Sequence, residues 1–146
     1  MKEIFKSLRT RLKEVPGINH IDMDKGQLDH YELRPSVAFP CILIDLQRPR
    51  SEDRDQRGTQ QTSAVMINIR IGFDFTGETS SHTPDEKLDT SLAYYDMVEL
   101  VYKKLQGWKD TGFTILSNKG ERTERRPDRY KVVNLPFGSQ TIKTNS

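Results

Sequence analysis

The sequence predicts an α+β fold: a mostly antiparallel sheet of about four to five strands, with two helices packed on one face and a long projecting hairpin arm. The stretch from Val65 to Phe75 has large apolar residues at every second position, which is typical of a strand with one buried face. Two amphipathic segments of helical periodicity flank the strand-rich region. The segment from Arg48 to Thr62 is charged, contains no large apolar residue and directly precedes the long strand.

The first helix is predicted over 2–14 and ends at Pro16-Gly17. Its apolar residues recur every three or four positions, at Ile4, Phe5, Leu8 and Leu12. A short, weak strand follows over 18–23, and 24–36 is expected to be a loop or an edge of the sheet.

A second clear strand is predicted over 37–46, with Pro40 near its start, where a missing amide donor is tolerated. Its residues Ile42, Ile44 and Leu46 share one face. Cys41 is the chain's single cysteine and lies within this apolar run, so we expect a buried, structural thiol rather than a nucleophile. The charged arm and the long strand come next.

The second helix is predicted to begin at Thr83-Pro84, with Thr83 as its cap, and to run to about Gln106 before Gly107. A short strand is expected over 113–116, a charged loop over 119–129 and a last strand over 130–137. We therefore assign 1–138 to one domain and 139–146 to a polar C-terminal tail that is expected to be disordered.

The composition favours a small domain with a thin core. The chain has 146 residues, of which 34% are hydrophobic and 30% are charged, and its mean hydropathy is -0.74. Polar residues are either gathered in long loops or covered by neighbouring molecules, as in the subunit of an assembly. The net charge of +2 and the pI of about 8.7 are too balanced for a dedicated nucleic-acid-binding protein.

Targeting features are absent from the pattern. No apolar run approaches the ~20 residues of a membrane span. The first residues, Met1 to Lys6, are amphipathic and lack the apolar core of a signal peptide. A single cysteine excludes an internal disulfide, so we expect the protein to be made in a reducing cytoplasm and to have no membrane partner.

No catalytic motif is present, and we predict that the chain is not an enzyme and has no cofactor. Glycine-rich phosphate loops, a nucleophile elbow and a dinucleotide fingerprint are missing. Asp45 and Asp74 lie on strands, but no E-x-K tripeptide follows at the spacing of a nuclease. The phrase Pro84–Lys87 is better explained as the start of a helix.

One cluster has residue types that bind metals, but its spacing matches neither an EF-hand loop nor a zinc site. We therefore expect a solvated acidic turn with no metal, formed by His20, Asp22, Asp24, Asp29 and His30.

Two charged segments are candidate interfaces. The first carries net +1, from Arg48, Arg50, Glu52, Asp53, Arg54, Asp55 and Arg57. The second spans 119–131 and carries net +3, with Lys119, Arg122, Arg125, Arg126, Arg129 and Lys131 against three acids. They are either solvated loops, contacts with a neighbouring copy, or a mildly basic surface for nucleic acid. Because ordering a residue costs about 1–2 kcal/mol and the arm has no apolar burial to offset it, we expect Arg50–Gln60 to be mobile in a monomer and ordered by a partner.

The whole-chain pattern resembles the tail terminator, or tail completion, proteins of long-tailed bacteriophages and their head–tail connector relatives. The resemblance covers about 1–137. It rests on the first helix, the turn Val15-Pro16-Gly17-Ile18, the strand phrase Phe39–Ile44, the hairpin arm with its alternating strand, and a second helix carrying Leu92, Asp96, Val98, Leu100 and Leu105.

The resemblance implies a structural virion subunit without catalytic residues. It implies a homo-oligomeric ring, commonly of six copies, at the head-proximal end of the tail, in contact with tail-tube and neck or connector proteins. DNA would pass through the lumen without sequence-specific binding, and the protein would assemble in the host cytoplasm. Two alternatives remain open: a nucleic-acid-binding accessory domain that uses the basic loop 119–131, and a small enzyme.

Overall fold

A six-stranded sheet organises the chain, whose residues 1–30 and 34–145 are described by the computed structural model. The helices are α1 (Lys2–Leu12), α2 (Asp85–Ser91) and α3 (Tyr94–Leu105). The strands are β1 (His20–Met23), β2 (Cys41–Asp53), β3 (Gln60–Asp74), β4 (Ser117–Asn118), β5 (Arg122–Thr123) and β6 (Tyr130–Thr144). The strand order is β1-β2-β3-β6-β4, with β5 also paired to β6, and only the β1–β2 pair is parallel. The predicted α+β class and mostly antiparallel sheet are confirmed.

Strand β3 is the centre of the sheet, because it pairs with β2 on one side and with β6 on the other. Its alternating apolar residues are all buried and face α1 and α3: Val65, Ile67, Ile69, Ile71 and Phe73. Leu8, Leu12 and Leu105 belong to the same core, as the periodicity predicts. Phe75 lies one residue beyond the strand and is half-buried.

The second helix is not continuous, contrary to the prediction of one helix up to Gln106. It divides into α2 and α3 at Leu92, whose backbone has φ -89 and ψ 0. No residue of α2 is buried, so α2 has no apolar face that would align it with α3 on the core. Leu92, expected to contact the central strand, is half-buried and lies outside the core cluster. The cap position of α2 is Pro84 rather than the predicted Thr83.

The charged arm and the polar tail both form strands. Strand β2 continues to Asp53 and β3 begins at Gln60, so only 54–59 lie between them. The tail, expected to be disordered, continues β6 to Thr144 and pairs with 60–65 of β3. Backbone hydrogen bonds in a ladder need no apolar side chains, which is why the hydrophobic pattern did not reveal these extensions.

Two short elements also differ from the prediction. The segment 113–116 has only one isolated bridge, between Asp110 and Phe113, although Phe113 and Leu116 are buried. The neighbouring strand is β4, which follows directly, and β5 lies inside the segment predicted as a charged loop.

The sheet face opposite the helices carries a second, smaller core. Leu28, Cys41, Leu43 and Val132 are fully buried there, with Val37 and Phe39 packed against them. A side chain at Gly72 would come within 2.9 Å of the Cys41 sulfur, so only glycine allows this close packing. Burial raises the pKa of the Cys41 thiol to about 11, which agrees with a structural role.

None of the helices in the described part of the chain has the length and apolar character that a membrane crossing requires.

The central position of β3 gives a stability prediction. Replacing the fully buried Ile69 by alanine should lower the free energy of unfolding by about 2–5 kcal/mol, because it leaves a cavity between the helices and the sheet. The matched control is Met66→Ala on the opposite face of the same strand, where the residue is 40% exposed. The control should cost less than about 1 kcal/mol. Equal losses in urea unfolding would contradict the assignment of the two faces.

Candidate functional site

Beyond its apolar core, the sheet continues as a three-stranded arm. The buried apolar residues nearest to this arm are Val65 of β3 and Phe137 of β6. We define the arm as Arg50–Asp53 of β2, Gln60–Ala64 of β3 and Ser139–Thr144 of β6. The β2–β3 register shifts between Gln47 and Arg50, which places a bulge at Arg48-Pro49 at the base of the arm. A bulge and a proline at an edge strand both discourage indiscriminate pairing with other chains.

The tip of the arm is held by the Asp55 carboxylate, which accepts hydrogen bonds from the backbone amide of Thr59 at 2.8 Å and from the Thr59 hydroxyl. These bonds lower the pKa of Asp55, the hydroxyl of Thr59 having the largest effect. Gly58 has φ +66, a left-handed conformation that favours glycine, and completes the turn. Polar contacts within the turn itself therefore define the conformation of the tip.

The predicted charges of the arm have different surroundings. Arg50 and Glu52 form an exposed ion pair, and Asp53 accepts a 2.9 Å hydrogen bond from Gln61. The side chains of Arg54 and Arg57 are exposed and make no ion pair with any described residue. Arg48 is half-buried at the bulge, and its Nε has no hydrogen-bond partner among the described residues.

One face of the arm is an uncovered sheet surface. On this face Thr62 lies opposite Ile142, and Ala64 lies opposite Gln140. Ile142 is 57% exposed, and Met66 at the base of the arm is 40% exposed. The sequence pattern does not reveal this surface, because alternation identifies the two faces of a strand but not which of them is left uncovered.

The basic loop contributes to a partly buried cluster of ion pairs. Arg70 of β3 donates two hydrogen bonds to the Glu124 carboxylate, at 2.7 and 2.8 Å. Arg126 contacts Glu124 at 3.2 Å and Asp128 at 2.7 Å, and it donates a 2.6 Å bond to the carbonyl oxygen of Leu28. The Arg126 side chain is only 1% exposed. Arg126, predicted as an interface residue, thus fixes its loop to the domain instead of forming part of the free surface.

The acidic turn expected near the N-terminus belongs to the same cluster. Arg70 contacts Asp29 at 2.7 Å and Asp24 at 3.6 Å, so both carboxylates are ion-paired, while the Asp29 side chain remains 55% exposed to solvent as expected. Asp22 pairs instead with His20 and Lys25. No group of three or more metal-binding side chains occurs within 1–30 and 34–145.

The electrostatics of the cluster follow from its pairs. Burial by itself raises the pKa of Glu124, but the hydrogen bonds from Arg70, Asn134 and Arg126 outweigh it and hold this pKa below its ordinary value. The carboxylates around Arg70 likewise raise the arginine pKa further above its ordinary value, against the effect of burial. Glu124 and Arg70 therefore stay ionised at neutral pH, and the ion pairs of the cluster link β3, the loop before β6 and the segment after β1.

The remaining basic residues of the loop are on the surface. Arg122 and Arg125 are exposed and line a shallow depression, and Arg129 pairs with Asp74 at 3.0 Å. Strand β5, which carries Arg122, pairs with β6 at Val133 and Asn134, several residues before the arm begins at Ser139. One copy of the chain does not bring the basic loop and the arm together.

A larger groove lies at the other end of the sheet, between the end of β3 and helices α2 and α3. Its walls include Pro40, Phe73, Phe75, Tyr94 and Met97, with the polar side chains of α2 at its rim. The rings of Phe75 and Tyr94 meet edge to face at 5.6 Å. An apolar floor with a polar rim is suited to packing against a partner's side chains.

Comparison with known proteins gives matches among solved structures only. No family model and no curated protein matches the sequence. Among solved structures, a chain from the virion of a native gene transfer agent particle is similar, with 12% sequence identity and a TM-score of 0.57. The alignment covers 96% of this chain and 95% of that chain. The two chains therefore share a fold over nearly their whole lengths.

The burial of Arg126 gives a second prediction. Arg126→Met should destabilise the protein by about 3–5 kcal/mol, because it leaves the buried carboxylate of Asp128 without a cationic partner and the carbonyl oxygen of Leu28 without its donor. The matched control is Arg125→Met, one residue earlier and exposed, which should change the free energy of unfolding by less than about 0.5 kcal/mol. Chemical denaturation of both variants measures the difference. Similar stabilities would show that the cluster contributes little.

The lowered pKa of Glu124 predicts how this contribution varies with pH. A carboxyl group with a folded-state pKa below its unfolded value stabilises the protein above the unfolded pKa of about 4.3, and this stabilisation is lost as pH falls through the folded-state pKa. The stability difference between the wild type and Glu124→Gln should therefore be largest near neutral pH and shrink below about pH 4. Urea unfolding at several pH values tests this, and a constant difference would contradict it.

Proposed function

We propose that the chain is a structural subunit of a phage-type virion that forms a ring at the head-proximal end of a tail, ends tail-tube growth and joins the tail to the head. The observation that carries the proposal is the fold shared over nearly the full length with a chain from a gene transfer agent virion. The resemblance of the sequence to tail terminator proteins supports the same role.

The arm supplies the physical argument for assembly. Ordering its residues costs about 1–2 kcal/mol each, whereas burial of a large apolar side chain returns about 1.5–3 kcal/mol. Within one copy, Ile142 and Met66 remain exposed on the uncovered face of the arm, so the free energy of burying these side chains is not gained. A neighbouring subunit or the tail tube would bury that face. The expectation that Arg50–Gln60 gains order on assembly stays a prediction.

The proposed assembly has defined partners. The copies form a homo-oligomeric ring, and the family resemblance implies six copies. The ring contacts the tail-tube protein and neck or connector proteins. DNA passes through the lumen without sequence-specific recognition. In this role the protein has no catalytic site and no cofactor, and it is found in the virion after assembly in the host cytoplasm.

A nucleic-acid-binding role for the basic loop has less support. Arg126 is committed to Asp128 and Glu124 within the domain. Tyr130, the aromatic residue nearest to the arginines, stacks on Phe39 with ring centroids 4.8 Å apart. This stacking uses one face of the ring that single-stranded bases would need. Exposed Arg122 and Arg125 remain as the basis of this alternative.

Virion assembly provides the test. Ile142→Asp should leave the isolated protein folded, because the residue is exposed, but should remove it from particles by placing a charge in the proposed interface. The particles should then have tails of irregular length or lack heads. The control is Met23→Asp, an equally exposed apolar site on β1 at the other edge of the sheet, which should assemble normally.

The measurement is the amount of protein in purified particles, with tail lengths counted by electron microscopy. Circular dichroism and thermal melting of both isolated variants establish that they are folded. If the Ile142→Asp variant is incorporated into normal particles, the arm is not part of the interface. Absence of the wild-type protein from purified particles would overturn the proposed function itself.

A further inference from the structure

Helix α1 presents a narrow basic stripe to solvent. Lys2, Lys6, Arg9 and Lys13 are spaced by three or four residues and therefore lie on one side of the helix and its C-terminal cap. The opposite side, with Ile4, Leu8 and Leu12, is buried. Residues 2–13 contain five basic and one acidic residue, a net charge of +4. The four stripe residues are exposed and form no ion pair with the described part of the chain.

Helices α2 and α3 present an exposed surface of opposite charge. Over 85–105 the two helices contain five acidic residues and three lysines, a net charge of -2, and within 85–100 the net charge is -4. The acidic residues are all exposed, and none of them is ion-paired within the described chain: Asp85, Glu86, Asp89, Asp96 and Glu99. Tyr95 and Leu100 lie beside Asp96 and Glu99 on α3 and are 44% and 43% exposed. The surface thus combines uncompensated negative charge with apolar area, which is typical of a binding surface.

We propose that the basic stripe of α1 in one copy docks on the acidic surface of α2 and α3 in the next copy. The four basic residues of the stripe and the five acidic residues of α2 and α3 form no ion pair within the described part of one copy. A nucleic acid would use only the basic stripe and would leave the acidic surface unexplained, whereas a second copy uses both.

The two surfaces are different, so the contact is head-to-tail. Head-to-tail association gives a closed ring when the rotation between copies closes, and an open filament when it does not. The inference therefore rests on the proposed ring for its biological meaning and identifies the surfaces between its subunits. This contact between helices does not involve the arm, which would remain available to bind the tail tube or the neck.

Exposed ion pairs are individually weak and are screened by salt, because the Debye length shrinks from about 14 Å at 0.05 M to about 4 Å at 0.5 M ionic strength. Self-association of the wild-type protein should accordingly weaken by about tenfold over this range of salt.

Charge reversal tests the pairing directly. The basic-reversed variant is Lys6→Glu with Arg9→Glu, and the acid-reversed variant is Asp96→Lys with Glu99→Lys. Each variant alone places like charges across the contact and should weaken self-association by about tenfold or more. An equimolar mixture restores opposite charges at every contact, in an alternating arrangement, and should return the affinity to within about threefold of the wild type.

Sedimentation velocity over a range of concentrations measures the association, and thermal melting verifies that each variant is folded. The control is Lys25→Glu with Lys109→Glu, which changes the net charge by the same amount as the basic-reversed variant but at exposed sites outside α1. The control should associate like the wild type.

Three results would overturn the inference. These are normal association of both reversed variants, a mixture that fails to recover although both variants are folded, and a wild-type protein that stays monomeric at low salt and high concentration. Loss of duplex DNA binding by the basic-reversed variant, with unchanged self-association, would assign the stripe to nucleic acid instead. The proposed function is judged separately, by the presence of the wild-type protein in particles.

Discussion

The structure depends on a single long strand, β3, which separates the helix-covered core from the opposite face of the sheet. Because side chains alternate along a strand, β3 directs every odd-numbered residue from Val65 to Phe73 towards the helices. Its pairing with β2 and β6 along almost its whole length then fixes the alternation of those strands too. A shift by one residue would expose the core, so the register of the three strands and the position of both packed helices follow from one pattern.

The same strand explains the unusual second face. The even-numbered residues of β3 include Gly72, where the backbone packs against Cys41, and Arg70, whose side chain is 9% exposed. A buried arginine needs carboxylates that match its hydrogen-bonding geometry, and Glu124 supplies two bonds in one contact. Loop segments that are distant in sequence converge there, so charge pairing adds to the small apolar core of this face in a chain with 34% hydrophobic residues.

The arm and the helices both present surfaces whose apolar or charged groups have no partner within one copy. The arm is ordered by its backbone ladder but leaves one face uncovered, and the helices leave net charges of opposite sign without partners. Within a single copy, Ile142 and Met66 stay exposed on the arm, and the basic stripe and the acidic residues of the helices form no ion pairs with the described residues. In the proposed assembly, neighbouring copies would cover both surfaces.

The sequence by itself determined the α+β class, the central strand and the burial of Cys41, because hydrophobic periodicity reports directly on burial. It also located the charged arm, but the ladder from Gln60 to Thr144 depends on backbone hydrogen bonds that leave no trace in side-chain pattern. Only the tertiary structure separated buried Arg126 from exposed Arg125, which are adjacent and chemically identical in the sequence. Their difference arises from Glu124, Asp128 and a carbonyl far along the chain, since the environment of a charge is set by what folds against it rather than by its neighbours in sequence.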